Sequence, residues 1–253
     1  MSNTGQLQWI EPDWPAPQQV KAVVSTRAGN ISTPPYDGFN TAAHVGAPPQ
    51  QVEQCRKLFQ QQFQIKTAPQ WLDQVHGVNV ITAQPDGLVR QADASYTDQP
   101  EIVCTIHTAD CLPVFFCDRQ GTQVALAHAG WRGLLSGILE NTLAHFSCAA
   151  ADIICWLGPA ISQKHFEVGA EVKSAFASKQ AIPAGAFQPS GRVSNAGKHF
   201  YCDLYSLARQ RLNQAGVERV LGGELCTFSD PRFFSYRRQS TTGRILSAIW
   251  LTA

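Results

Sequence analysis

The chain has 253 residues, enough for one large domain or two small ones with a substantial core. Only 15% of the residues are charged and the net charge is +1, so with no basic stripe interleaved with aromatics, nucleic acid is excluded as the main partner. No apolar run approaches the roughly 18 residues of a membrane span, and residues 1–15 lack the apolar core of a secretory leader.

Residues 1–20 read as a lead-in. Residues 21–26 alternate as a strand, and Arg27-Ala28-Gly29-Asn30 follows as a turn. Val52, Cys55, Leu58, Phe59 and Phe63 recur at helical spacing, which predicts an amphipathic helix over residues 49–64. Residues 78–83 read as a strand. A short apolar strand is expected over residues 102–106, a loop over 107–111, and a second strand over 113–117. After a turn at 118–121, residues 124–127 form a third strand ending in His128. Gly130 and Gly133 permit tight backbone there, and residues 134–146 have the period of one helix. Residues 153–157 are another strand, closed by Gly158-Pro159.

Residues 168–178 and 204–215 are further helices, the latter with Asp203 as N-cap and Gly216 just past its end. Residues 188–198 are polar and turn-rich, an exposed loop or hairpin, and residues 244–251 alternate as a closing strand. Several neighbouring strands are joined by short turns, which favours mixed sheets over a purely parallel one. The expected fold is α/β (α+β): a single layered domain over residues 1–253, with mixed β-sheets flanked by helices. The eight cysteines include no Cys-x-x-Cys pair and no spacing that suggests disulfides, so a reducing cytoplasm is the expected home. Nothing in the sequence sets an oligomeric state.

Three segments carry the chemistry, and each offers one transition-metal ligand where a strand runs out. They are Gln74-Val75-His76-Gly77, Thr108-Ala109-Asp110-Cys111-Leu112-Pro113 and Ala127-His128-Ala129-Gly130-Trp131-Arg132-Gly133. One thiolate and two imidazoles suit zinc, and three protein ligands leave a fourth tetrahedral position open, as in a catalytic site. His107 is a rival ligand in the same loop as Cys111. Cys111 also supports a different reading, as a nucleophile with His128 as its base. Asp110 could orient a catalytic histidine or hold a metal-bound one. Arg132 follows His128 at the mouth of a helix, where a guanidinium joins free backbone donors and suits an anion.

These segments are similar to the signature blocks of the YfiH-like family, also called the laccase-domain or multicopper polyphenol oxidase family. Its members include purine nucleoside phosphorylases and peptidoglycan editing factors. Further blocks agree in order: Ser25-Thr26-Arg27, His44-Val45-Gly46, Leu157-Gly158-Pro159-Ala160-Ile161, Phe166-Glu167-Val168-Gly169, Cys226-Thr227, and Phe234-Ser235-Tyr236-Arg237-Arg238 with Thr242-Gly243-Arg244. The chain departs from the family pattern at Asn30, Ala47 and Gln239.

The resemblance implies zinc on His76, Cys111 and His128. It also implies phosphorolysis of adenosine, inosine or methylthioadenosine, with adenosine deamination in some members. Arg27, His44, Arg132, Glu167 and Arg237 match motif positions and are candidates for lining the site. Arg132 and Arg27 are expected to hold phosphate, and Asp110 or Glu167 to carry a proton. The alternatives are a cysteine hydrolase that edits peptidoglycan precursors, a metal-binding protein without turnover, and a copper oxidase. Copper is disfavoured: a laccase's centres consume roughly ten histidines, and this chain has seven, no His-x-His, and Met1 as its only methionine.

Overall fold

The computed structural model describes residues 6–179, 181–194 and 197–253. At its centre is a six-stranded sheet in the spatial order Arg219–Gly222, Ile153–Leu157, Leu112–Asp118, Val124–Ala129, Ala94–Thr97, Val80–Thr82. The outermost pairings are parallel and the inner ones antiparallel, the mixed sheet that the short turns predict. Strands Leu112–Asp118 and Val124–Ala129 are buried along their whole length. Their two-residue period divides them between two cores. Val114, Phe116, Ala125 and Ala127 enter one, and Phe115, Cys117, Val124 and Leu126 the other. With both faces covered there is no solvent side to mark with polar residues, so these strands read as continuous apolar runs.

A four-stranded antiparallel sheet closes the second core, in the order Trp9–Ile10, Val20–Ser25, Ile245–Leu251, Cys104–Thr108. Val20, Ala22, Val24, Ile106 and Ile249 pack toward the central sheet. Val23, Leu246, Ala248 and Trp250 pack instead with Cys55 and Phe59 of helix Pro49–Gln62. On the far side, helices Trp131–Ser136, Ile138–Leu143, Ala170–Lys179 and Leu204–Gln214 cover the first core. The layers therefore run helix, sheet, sheet, helices. Among the described residues no helix is long and apolar enough to cross a membrane.

The elements differ from expectation where tertiary contacts override local pattern. The lead-in is stitched into a sheet: Trp9 and Ile10 pair with Ser25 and Val24, and the Trp9 ring meets Phe39, Phe59 and Phe63. The first five residues of that lead-in lie outside the described residues. The single helix expected over residues 134–146 is two, already begun at Trp131 and broken where Gly137 takes φ 106°. His107 lies in a strand and not in a loop, because Ile245–Leu251 pairs with its neighbour as far as Thr108. The helix expected from residue 168 starts at Ala170, since Glu167–Gly169 pairs with Gly197–Cys202 as a strand. Residues 188–198 belong to a hairpin of Phe187–Ser194 and Gly197–Cys202, whose residues 195–196 lie outside the described residues. The Asp203 cap is present, its side chain accepting the Ser206 N–H at 3.1 Å, and Gly216 has φ 95°.

Candidate metal centre

The layered sheets bring the three segments together at one edge. The ligand atoms of His76, Cys111 and His128 all lie within 4.8 Å of one another. His128 is in strand Val124–Ala129 and 3% exposed. Cys111 sits in the turn between strands Cys104–Thr108 and Leu112–Asp118, and His76 in the loop after Leu72–Asp73. Cys111 Sγ is 3.8 Å from His76 Nε2, and the two imidazole rings cross at 71° with centroids 4.8 Å apart. Gly130 keeps the space between them open: a Cβ there would come within 3.0 Å of both Cys111 Sγ and His76 Cδ2. Gly133 lets the chain pass close to the His76 loop, since a Cβ there would lie 2.8 Å from the Gly77 carbonyl oxygen.

His107 is excluded as the rival ligand by its position. Its Nε2 lies 2.8 Å from Thr41 Oγ1, and its ring stacks on Trp71 at 5.5 Å. Burial, then the fields of His44, Arg56 and Arg244, push its pKa well below the usual imidazole range.

The carboxylate that orients His128 is Asp93, which sequence reasoning missed, and not Asp110. Asp93 is fully buried at the start of strand Ala94–Thr97. Its Oδ1 is 2.8 Å from His128 Nδ1 and also accepts the His76 N–H at 2.9 Å. Its Oδ2 accepts the N–H of Gly77 at 2.6 Å and of Val75 at 3.3 Å. One carboxylate thus turns His128 so that Nε2 faces the cluster, and secures His76, whose φ of 60° is costly for a non-glycine residue. The available signal was a lone Asp before a small-residue strand, which nothing local ties to a histidine.

Asp110 has a different task. It holds φ 90° beside Cys111, with Oδ1 accepting the Thr227 hydroxyl at 2.6 Å and Oδ2 the Arg237 N–H at 2.7 Å. Its carbonyl oxygen also accepts the Ile161 N–H at 2.9 Å, so three segments lock the turn that presents the thiol.

Electrostatics couple the cluster. Burial opposes ionisation of Cys111, but the His128 charge and hydrogen bonds from both histidines outweigh it, lowering the thiol pKa to about 6. Burial likewise opposes a charged His128, yet the Cys111 thiolate and the Asp93 hydrogen bond raise it to about 9. Burial would raise the Asp93 pKa, and its bonds to His128 and the Gly77 and His76 amides bring it below the usual carboxylate range. A thiolate, two imidazole nitrogens and a hollow kept clear by Gly130 fit a single tetrahedral metal ion.

Beside the cluster is a cavity of about 240 Å³, lined by His76, Asp110, Cys111, Arg132 and Arg237 with Trp131, Ile161, Phe166, Leu204 and Tyr236. The Arg132 guanidinium lies over the Trp131 ring at 4.4 Å, and Arg237 over Phe166 at 5.6 Å while donating to the Glu167 carbonyl. Arg27, His44 and Glu167 do not line this cavity. Arg27 pairs with Asp37 at 2.6 Å. The Glu167 carboxylate accepts Arg192 Nη1 at 3.0 Å and lies below its usual pKa through Ser190 and then Arg192. The His44 ring lies 6.0 Å from that of His107.

Fold and site together define a class: a layered α/β protein whose strand ends gather a His–Cys–His set that could hold one metal ion. The chain belongs to the laccase-like family described as multi-copper polyphenol oxidoreductase laccase, whose model matches residues 21–252. It is 50% identical over 244 residues to a purine nucleoside phosphorylase of Pseudomonas aeruginosa, covering 96% of this chain and 98% of that one. The purine nucleoside phosphorylase YfiH of Escherichia coli is 49% identical over 245 residues, with the same coverage. A Neisseria meningitidis crystal structure superposes with a TM-score of 0.90 at 43% identity, covering 97% of this chain and 99% of that one. YlmD from Geobacillus stearothermophilus gives 0.85 at 27% identity, over 99% of each chain.

Proposed function

We propose that the protein is a zinc-dependent purine nucleoside phosphorylase acting on adenosine, inosine or methylthioadenosine. The observation that carries this reading is the His76–Cys111–His128 cluster opening onto a cavity walled by aromatic side chains. The relatives named as purine nucleoside phosphorylases support the same class.

His76, Cys111 and His128 would hold the zinc, with Asp93 fixing the ring of His128. A zinc ion there supplies a Lewis acid beside the cavity. Tyr236, Phe166 and Trp131 offer flat faces for a purine, and Arg237 and Asp110 stiffen the rim through their mutual hydrogen bond. In phosphorolysis a phosphate oxygen bonds to the anomeric carbon while the bond to the base nitrogen breaks. The electron pair leaves with the base, which takes up a proton, and ribose 1-phosphate remains.

The copper-oxidase reading asks for several metal centres. Among the described residues the clustered His, Cys and carboxylate ligands form a single group. Deamination asks for a proton carrier aimed at the ring. Both oxygens of Asp110 are engaged with Thr227 and Arg237, and Glu167 is paired with Arg192, so phosphorolysis is the reading favoured.

Chromatography of a nucleoside panel with zinc-loaded protein tests this. Free base should form only when phosphate is present, and Cys111→Ala should abolish it. Base release at equal rate without phosphate would make the enzyme a hydrolase.

The low thiol pKa of Cys111 also favours a second reading, a cysteine hydrolase. Because that pKa is depressed, the thiolate persists as pH falls until about 6. Chelator-treated protein should therefore be alkylated by iodoacetamide with a midpoint near pH 6, and zinc should suppress the reaction. Rapid alkylation that zinc does not affect would favour the hydrolase.

A further inference from the structure

The cluster has a second flank, outside the aromatic cavity. Arg244 immediately precedes strand Ile245–Leu251, whose first pair is Ile245 with Thr108, so it stands beside the turn that carries Asp110 and Cys111. Its N–H donates to Asn40 Oδ1 at 2.9 Å, which ties it to the segment bearing His44. Arg56 reaches the same segment from helix Pro49–Gln62: its Nε donates to the Thr41 carbonyl at 3.0 Å, and its guanidinium lies 4.1 Å over Trp71. Trp71 stacks on His107, and His107 meets His44. Two guanidinium groups therefore flank the loop that carries His44, and Arg244 also adjoins the Cys111 turn.

Neither arginine has a carboxylate within ion-pair distance among the described residues. Arg244 spends Nη1 on the carbonyls of Thr242 and Gly243, and the rest of its fork has no protein acceptor among the described residues. Arg27 and Arg211, by contrast, are paired with Asp37 and Glu140. Burial lowers the pKa of both Arg244 and Arg56, and burial and then the Arg244 charge lower that of His44. Cys111 and Asp110 partly offset the Arg244 charge from beyond ion-pair distance, as Glu53 does for Arg56, so what an anionic ligand would complete is the free part of the Arg244 fork.

We propose that Arg244 and His44, backed by Arg56, form the orthophosphate subsite of the reaction, in place of Arg132 and Arg27. The assignment rests on the phosphorolysis reading and adds direction to it. A nucleophile displacing the base enters on the face of the anomeric carbon away from the leaving group. With the purine in the aromatic cavity, phosphate needs a cationic surface outside that cavity, and Arg244 provides one. Arg132 lies on the cavity side, its guanidinium 4.4 Å over the Trp131 ring, in a helix of only six residues. Arg27 is committed to Asp37.

Equilibrium dialysis with radiolabelled orthophosphate, on the zinc-loaded full chain without nucleoside, tests the assignment. Arg244→Gln should weaken phosphate binding tenfold or more, Arg244→Lys less, and Arg132→Ala little, while zinc content and the melting temperature hold. Phosphate binding by Arg244→Gln at wild-type affinity overturns the proposal, as does a loss confined to Arg132→Ala. If Arg244→Gln fails to fold, His44→Gln carries the test: affinity should fall several-fold, and an unchanged value in folded, zinc-loaded protein overturns it. Phosphate bound through Arg244 by a protein that releases no base would uphold the subsite and remove phosphorolysis instead.

Discussion

The two flanks of the cluster differ in what they leave unsatisfied. The cavity flank is walled by aromatic side chains, with Arg237 held by carbonyl oxygens and the Phe166 ring and Arg132 lying over Trp131. The flank of His44 and Arg244 is polar, and beyond Nη1 the Arg244 fork has no protein acceptor among the described residues. One side is therefore suited to a flat, uncharged base and the other to an oxyanion. Distance to the metal ligands does not separate them, since Arg244 and Tyr236 both neighbour the same turn. What separates them is burial together with partners: Arg237 is held by carbonyl oxygens, Arg132 is exposed over Trp131, and Arg244 is half-buried with part of its fork free.

The largest effect should come from the centre both flanks share. Cys111→Ala should lose nearly all bound zinc by elemental analysis, because no fourth His, Cys or carboxylate joins the cluster among the described residues. Undiminished zinc in that variant would leave the two flanks with no common centre. Next, Asp93→Asn should weaken zinc binding about 10- to 100-fold in chelator competition, since it disturbs the partner that orients His128. If affinity is unchanged, Asp93 secures only the His76 loop.

Smaller effects should then sort by flank. Tyr236 is 56% exposed at the cavity rim, and Tyr236→Ala should raise the nucleoside KM roughly tenfold, with the phosphate KM unmoved. A shift in both constants would merge the flanks into one site. Smallest of all, Arg132→Ala should change the phosphate KM within about threefold, as expected of an exposed cation. A larger change would move the phosphate to the cavity side.

Much of this was legible in the chain. His76, Cys111 and His128 stood out because each ends or follows a strand in a motif of small and turn-forming residues. The central strands were visible as apolar runs, and the Asp203 cap and Gly216 as local signals. Other features depend on contacts that no local pattern encodes. Asp93 meets His128 only because strands Ala94–Thr97 and Val124–Ala129 pair, with Ala94 opposite Ala127. His107 looked like a loop ligand because nothing in its neighbourhood shows that Ile245–Leu251 extends the ladder past it. Arg27 looked like a phosphate ligand, but its Asp37 partner becomes visible only when the intervening turn folds back. The break at Gly137 was hidden inside a continuous helical period, since one glycine fits that period until its φ is known.

Whether phosphate is consumed at this centre is decided by phosphorus NMR of zinc-loaded protein with inosine and orthophosphate. A ribose 1-phosphate resonance should grow, matched by loss of orthophosphate as hypoxanthine appears. Hypoxanthine forming while the phosphate resonance stays constant, or no turnover by fully zinc-loaded protein, would contradict phosphorolysis at this centre.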